Sequence, residues 1–279
     1  MSAPATMLPG AAAPSASGTA LRVVQYELRN ALRSRWLVGY ALFFFLVTDA
    51  LLRFGDGGAK ALLSLMSVVL FVLPLVAIVF GTMYLYDARE FTELLLAQPV
   101  GRKSLFAGLY VGLAAPLSLA LVVGVGLPFV LHGLADPSQR GTIGALLGAG
   151  VALTCVFTAV AFLIALRSDD KVKGLGVAVG LWLLFSLLYD GLVLLLAMIF
   201  ADYPLERTLL GLMLANPVDL ARVFLLLRLD VAALMGYTGA VFQQFFGSAT
   251  GAAVAATALA LWVAVPVALG VRAFERKDF

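Results

Sequence analysis

Six long apolar blocks, separated by short polar stretches, make up most of this chain. Each block reaches the length of about 17 to 25 residues that a helix needs to cross the hydrocarbon core of a bilayer. Pro74, Pro116 and Pro266 fall inside blocks, where neighbouring helices can satisfy the carbonyls that a proline frees. The sequence predicts an all-α integral membrane protein with six transmembrane helices, at residues 36–52, 61–86, 104–131, 142–166, 174–200 and 250–271.

The chain before the first block has two parts. Residues 1–19 are rich in Ala, Pro, Ser and Gly and carry no charged side chain, which is typical of a disordered tail. In residues 20–35 apolar side chains recur at helical spacing while arginines occupy the other faces, as in a helix that lies on a membrane surface. We therefore expect an amphipathic interfacial helix here, whose apolar positions are Leu21, Val24, Leu28 and Leu32.

Composition and charge agree with a membrane protein. Hydrophobic residues make up 62% and charged residues 13% of the chain, too apolar a mixture for one soluble core. The formal net charge is +3, but the basic residues sit in short stretches between apolar blocks, so we expect lipid rather than nucleic acid as the partner. If both termini are cytoplasmic, roughly thirteen of the 19 Lys and Arg residues are cytoplasmic, as the positive-inside rule requires.

The longest segment between blocks, residues 201–249, mixes polar residues with apolar runs. We expect it to form short helices that half-enter the outer leaflet. Asn216 is suited to cap such a helix, with Pro217 at its first position and Asp219 near its positive end. Arg222 falls on the polar side of the helix that follows.

The stretch "YDAREFTELLLAQPVGRKS" follows the second block and carries the strongest functional signal. Its polar start, leucine run and closing Pro99 predict a short cytoplasmic helix. Such a helix could dock into a cleft on a separate motor subunit, its acidic residues at the exposed start and its leucines in an apolar pocket. An ordinary connecting loop is the alternative. The candidate coupling residues are Arg89, Glu90, Glu93, Leu94, Leu95, Leu96 and Gln98.

The sequence favours a subunit without catalysis of its own. It contains no G-x-x-x-x-G-K-[ST] phosphate loop, since "VGRKS" around Lys103 lacks the upstream glycine. We therefore expect no cofactor on this chain, with ATP and Mg²⁺ bound by a partner. His132 stands without a cluster of metal-ligating residues at metal spacing, and we interpret it as a surface histidine. Cys155 lies inside an apolar block, which favours a packing role. We assign no catalytic residue and no metal site.

Asp190 is a carboxylate well inside the outer half of the fifth block. An ionisable residue at such a depth is costly unless it is paired, hydrated or protonated. Asp190, with Tyr189 and Trp182, is a candidate for a pathway or outer gate. The alternative is a structural hydrogen bond from Asp190 to a hydroxyl or to Trp182.

Several of these features together resemble one transporter family. The interfacial helix, the six blocks, "REFTELLLAQPVGRKS" and the terminal "FERKDF" resemble ABC-2 type permeases. "GLGVAVGLWLLFSLLYDGLVLLL" and "LMLANPVDLARVFLL" are similar to the NosY-type permeases of the nitrous oxide reductase maturation system. The resemblance covers nearly the whole chain, with residues 36–279 as one transmembrane domain. Related loops usually carry a Gly-Thr pair before the leucines, where this chain has Phe91-Thr92-Glu93.

The resemblance implies partners and a role. It implies a homodimer in the bacterial inner membrane, two copies of a cytoplasmic ABC ATPase at the coupling helices, and a periplasmic accessory protein on the outer surface. We expect that protein to contact Asn216, Pro217, Asp219 and Arg222. The narrower group supports assembly of the copper-sulfur centre of nitrous oxide reductase in denitrifying bacteria. A generic exporter of a drug, lipid or polysaccharide and a non-transporting scaffold remain the alternatives.

The potential soft metal ligands give no clustered path for copper. They are scattered along the sequence, so a sulfur species or a purely mechanical role fits better than copper transfer through this subunit. The residues concerned are Met66, Met83, Met198 and Cys155.

Overall fold

The computed structural model of the chain describes residues 34–55, 58–97, 101–132, 137–200, 206–228 and 249–277. Within these ranges every regular element is a helix. The predicted tail at residues 1–19 and nearly all of the predicted interfacial helix at 20–35 lie outside the described residues, as does Gln98.

Ten α-helices and one π-helical turn make up the described chain. The π-helical turn, Leu184–Leu188, interrupts the fifth long helix between Lys171–Leu183 and Tyr189–Ile199. The helices are α1 (Arg35–Phe54), α2 (Gly58–Asp87), α3 (Arg89–Leu96), α4 (Arg102–Leu131), α5 (Pro137–Arg167), α6 (Lys171–Leu183), α7 (Tyr189–Ile199), α8 (Glu206–Leu214), α9 (Pro217–Arg228) and α10 (Ala249–Arg276).

The predicted count of six membrane spans is confirmed. Six helical segments are long and apolar enough to cross a bilayer, and each overlaps one predicted block. Helices α2, α4 and α10 continue through Pro74, Pro116 and Pro266 as expected. The six segments are Arg35–Phe54, Lys60–Asp87, Arg102–Leu131, Arg140–Arg167, Lys171–Ile199 and Ala253–Arg276.

Helix α5 lies at the centre of the bundle, in contact with α2, α4 and α10. Lipid gives apolar helices little hydrophobic reason to associate, so close approach and van der Waals packing must hold them together. Gly81 of α2 illustrates this, because a Cβ there would lie 2.7 Å from the Cβ of Ala161 in α5. A Cβ on Gly124 would lie 2.6 Å from the carbonyl oxygen of Ala41, which brings α4 equally close to α1.

Helices α8 and α9 form a bent pair with an angle of 109° between them. Together they have the length and apolar composition of one membrane segment, and their entry into the outer leaflet stays a prediction. We call the end of the bundle that carries this pair the opposite end. The end formed by α3, residues 168–170 and the last turn of α10 is called the basic end.

Candidate functional site

The loop after the second span contains a helix, α3, at the basic end. Its exposed face carries Glu90, Glu93 and Leu94, which recur at helical spacing, and the Leu94 side chain is 70% exposed. Leu95 and Leu96 instead pack against the hydrophobic core of the chain. The register of the helix therefore divides the leucine run, leaving one leucine on the exposed face. The coupling role of this face stays a prediction.

Arg89, at the start of α3, points away from that exposed face. Its guanidinium group donates hydrogen bonds to the carbonyl oxygens of Ser168 (3.1 Å), Asp169 (3.2 Å) and Ala165 (3.4 Å) and stacks over the ring of Tyr86. These carbonyls follow the last turn of α5 or belong to it, where backbone acceptors lack helical partners and a cation is favourable. The Arg89 guanidinium group is therefore bound within the chain, and its predicted role in docking stays a prediction.

The corner between α2 and α3 is also tied to the start of α6. The Tyr86 hydroxyl donates to the carbonyl oxygen of Ser168 at 2.8 Å, and Lys171 Nζ donates to Asp87 Oδ1 at 2.7 Å. Gly174 of α6 packs so closely on Tyr86 that a Cβ there would overlap the phenol ring and its hydroxyl. The base of α3 and the fifth span are therefore in direct contact.

The C-terminal end of α10 closes this arrangement from another side. Lys277 Nζ donates to the carbonyl oxygen of Leu166 and to Asp169 Oδ1, both at 3.0 Å. The hydrogen bond and positive charge of Lys277 lower the pKa of the Asp169 carboxyl below its ordinary value. We call these contacts the basic-end clamp, which consists of residues 168–170 with Tyr86, Asp87, Arg89, Lys171 and Lys277.

At the opposite end, Asp190 has a charged partner on another helix. Its Oδ2 lies 2.6 Å from Arg222 NH1, which joins α7 to α9. The sequence left open a hydrogen bond to a hydroxyl or to Trp182, and the structure shows a different partner. The Trp182 indole N–H donates instead to the carbonyl oxygen of Phe71 in α2 at 3.1 Å. The sequence contained both Asp190 and Arg222, but no local pattern pairs residues 32 positions apart.

Asn216 has the capping position that the sequence predicts and further contacts that it does not. Its Oδ1 accepts a hydrogen bond from the Val218 backbone N–H at 2.9 Å, and Pro217 is the first residue of α9. Its Nδ2 donates to Asp219 Oδ2 at 2.8 Å and to the Phe185 carbonyl oxygen at 2.9 Å. Phe185 lies in the π-helical turn, a type of irregularity often found at functional sites.

Side chains from two transmembrane helices bind the end of α8. The Tyr189 hydroxyl donates to the carbonyl oxygen of Leu212 at 2.5 Å, and the Trp262 indole N–H donates to that of Leu214 at 3.1 Å. Both carbonyls belong to the last turn of α8, where helical acceptors are incompletely satisfied, and the Leu212 carbonyl also accepts from the Ala215 backbone N–H at 3.0 Å. Trp262 of α10 was missed by the sequence analysis, since an isolated tryptophan in an apolar block carries no sign of its acceptor.

We call the polar residues at this end the opposite-end cluster. Asp219 also approaches Arg222, at 3.2 Å from NH1, so two carboxylates share one guanidinium group. Asn216 and Pro217 are buried, and Asp219 and Arg222 are half-buried. Their observed contacts are therefore mainly within the chain. The cluster consists of Tyr189, Asp190, Asn216, Asp219 and Arg222.

The potential soft metal ligands remain separated in the fold. Met66 is buried in α2, Met83 is exposed near the end of α2, Met198 is exposed on α7, and Cys155 lies in α5. Among the described residues no three His, Cys, Asp or Glu side chains come close enough together to hold a metal ion. His132 Nε2 lies 3.4 Å from Asp49 Oδ1, a contact that the sequence analysis did not anticipate.

Comparison with known proteins identifies the family. Residues 21–279 match the model of the family described as "ABC-2 family transporter protein". The "Probable ABC transporter permease protein NosY" of Pseudomonas aeruginosa is 31% identical over 275 residues, covering 91% of this chain and 97% of the relative. The protein of the same name from Stutzerimonas stutzeri is 27% identical over 278 residues, with the same two coverages. This chain therefore belongs to the ABC-2 family as a permease subunit of an ABC transporter, similar to NosY permeases.

Proposed function

We propose that two copies of this chain form the membrane part of a transporter in the bacterial inner membrane, driven by a cytoplasmic dimer of ABC ATPases. The basic end faces the cytoplasm in this proposal, as the positive-inside rule requires. ATP and Mg²⁺ bind to the ATPase, and this chain binds neither. The observation that carries the proposal is the exposed face of α3, with Glu90, Glu93 and Leu94.

The chemistry of this face suits a docking helix. A leucine that is 70% exposed beside two carboxylates favours insertion into a pocket with apolar walls and a basic rim. Burying one leucine side chain is worth about 1.5–3 kcal/mol. Charge complementarity around it fixes orientation more than it adds affinity. The core contacts of Leu95 and Leu96 hold the helix in this register.

The named relatives support a narrower role. Both carry the name NosY, and the sequence resemblance noted above is to NosY-type permeases of the nitrous oxide reductase maturation system. We therefore propose that the complex works for assembly of the copper-sulfur centre of that enzyme, with a periplasmic accessory protein seated on α8 and α9. The buried positions of Asn216 and Pro217 suit a role in holding these helices in place, so exposed residues of the same helices would make the contact.

The work done across the membrane is movement of a sulfur species or a purely mechanical change, and copper does not pass through this subunit. Soft ligands attract copper most strongly when several converge on one ion. Met66, Met83, Met198 and Cys155 lie apart on three helices. Tight copper binding by the purified permease dimer, without its partners, would contradict this part of the proposal.

One observation favours a second candidate function, export of an apolar or amphiphilic compound. A cavity of about 620 Å³ opens between α1, α2 and α4, with apolar and aromatic walls that include Tyr40, Phe80 and Pro116. Its size falls in the range of about 300–1,000 Å³ that is usual for ligand sites. Stimulation of the ATPase in the reconstituted complex by amphiphilic compounds, lost in a Phe80→Ala variant, would favour this function.

The proposal is tested by purifying the tagged chain together with the products of its neighbouring genes and identifying the bound proteins by mass spectrometry. Glu90→Lys with Glu93→Lys should remove the ATPase and leave a periplasmic protein bound. Glu275→Lys is the matched control, because Glu275 lies at the same end outside α3.

Other outcomes of this purification separate the alternatives. An ATPase without a periplasmic protein would favour a generic exporter. An unchanged activity of the complex after the double reversal would favour a scaffold. Failure to recover any ATPase would contradict the transporter mechanism.

A further inference from the structure

The fifth span, α6 to α7, is attached to other parts of the chain at both of its ends. At the basic end, Asp170 Oδ1 accepts hydrogen bonds from the backbone N–H groups of Val172 (2.7 Å) and Lys173 (3.2 Å), which caps α6. The segment before it, residues 168–170, is the part of the basic-end clamp that Arg89 and Tyr86 hold. A displacement of the start of α3 therefore acts directly on the start of α6.

Along its length, the fifth span buries few residues against the bundle, and Leu181 and Phe185 pack beside them on the core. The buried residues of α6 and the π-helical turn recur at every fourth position, and none of the residues of α7 is buried. Most large apolar side chains on the remaining faces are exposed. Within the chain, a helix with so little lateral packing offers little resistance to movement as a unit. The buried residues of the span are Gly174, Ala178, Trp182 and Ser186.

At the opposite end, the same helix carries three polar contacts to the bent pair α8 and α9. Tyr189 donates to Leu212, the Phe185 carbonyl accepts from Asn216, and Asp190 pairs with Arg222. Asp190 follows Lys171 by 19 residues, which is about 28 Å along a helix. The cluster thus lies most of a membrane thickness away from the clamp, on one continuous element.

We infer that the fifth span transmits movement of α3 to α8 and α9, and that Arg89 is the positioning residue that engages it. The guanidinium group joins α3 to three carbonyls at the junction with α6, so it couples the two elements more firmly than the exposed Asp87–Lys171 pair does. This inference rests on the proposed function, because it needs an ATPase that moves α3. It assigns Arg89 a role distinct from docking, which belongs to the exposed face.

The test places a reporter on α8 in the reconstituted complex of permease and ATPase. Gly211→Cys suits the reporter, because Gly211 is exposed and a Cβ there meets nothing within 4 Å. The only cysteine of the chain, Cys155, is first replaced by alanine. The rate of labelling of Cys at 211 by a membrane-impermeant maleimide is then measured without nucleotide and with ATP and orthovanadate.

We expect ATP to change the labelling rate in the parent, and Arg89→Ala to abolish this change while the ATPase stays bound. Arg89→Lys should retain part of the change, because one ammonium group reaches fewer carbonyls than the guanidinium fork. This variant keeps the test decisive if the alanine variant fails to fold. Lys103→Ala removes a cation at the same end that pairs with Glu275 of α10, and should behave as the parent.

Three outcomes would overturn the inference. The parent could hold the ATPase without any nucleotide-dependent change at position 211. The Arg89→Ala variant could respond as fully as the parent. The same variant could release the ATPase, which would make Arg89 a docking residue. A parent that binds no ATPase at all is a different result, since it contradicts the proposed function itself.

Discussion

Arg222 of α9 and Asp190 of α7 form an ion pair with 2.6 Å between NH1 and Oδ2. The pair joins a transmembrane helix to the bent helix pair, at a depth where each charge would otherwise be costly. Asp219 approaches the same guanidinium group at 3.2 Å, so Arg222 keeps a partner if Asp190 is lost. The loss in stability therefore depends on which member of this group of residues is replaced.

Asp190→Ala should therefore lower stability only modestly, by about 1 kcal/mol, because the pair is partly exposed and Asp219 remains. Asp190→Asn should cost less, since its amide oxygen still accepts a hydrogen bond from Arg222. Thermal unfolding of the purified protein in mild detergent measures both. An equal loss in the two variants would show that the acceptor at position 190 does not stabilise the fold.

Asn216→Ala should be more damaging than Asp190→Ala, with a loss of about 2 kcal/mol or more. The side chain is fully buried and makes three hydrogen bonds, and removing it takes one partner each from the Phe185 carbonyl, the Val218 N–H and the Asp219 carboxylate. Asn216→Ser keeps a capping oxygen but cannot reach both other partners, so it should recover part of the loss. The same unfolding assay measures the order, and an alanine variant as stable as the parent would contradict these roles.

Gly174→Ala should destabilise the contact between α2 and α6 by about 1–3 kcal/mol, the usual cost of an overpacked site. A Cβ at this position would overlap the Tyr86 side chain. Gly176→Ala is the matched control, because a Cβ there meets nothing within 4 Å and alanine favours helix. Unfolding temperatures that fall equally in both variants would contradict the close packing of Gly174 on Tyr86.

The contact of Asp169 with Lys277 predicts a pH dependence. Lys277 lowers the pKa of Asp169 in the folded protein, so the contact stabilises the fold above the pKa of the unfolded carboxyl, about 3.9. This contribution is lost as the pH falls through the lower folded value. The stability difference between the parent and Asp169→Asn should therefore be constant at about neutral pH and should disappear in strong acid. A difference that grows on acidification would have the wrong sign.

The six spans could be predicted because lipid imposes a length and a composition on every crossing helix. The cap at Asn216 and the start of α9 at Pro217 could be predicted from local chemistry. The pairs Arg89–Ser168 and Asp190–Arg222 could not, because their members lie far apart in sequence and only the packing of the bundle brings them together. Three consecutive leucines do not reveal which of them a helix will expose, so the sequence could not show that Leu94 is exposed while Leu95 and Leu96 pack on the core.

The exposed position of Leu94 on α3 gives the most direct test of the central claim, that this helix docks into a partner ATPase. The measurement is the affinity of the purified permease for the ATPase, compared for the parent, Leu94→Ala and Leu94→Met. Burial of one leucine side chain contributes about 1.5–3 kcal/mol to the free energy of binding. Losing most of this contribution should weaken binding by roughly ten-fold or more in the alanine variant. The methionine variant should stay near the parent. Equal affinity of all three proteins would contradict docking through α3.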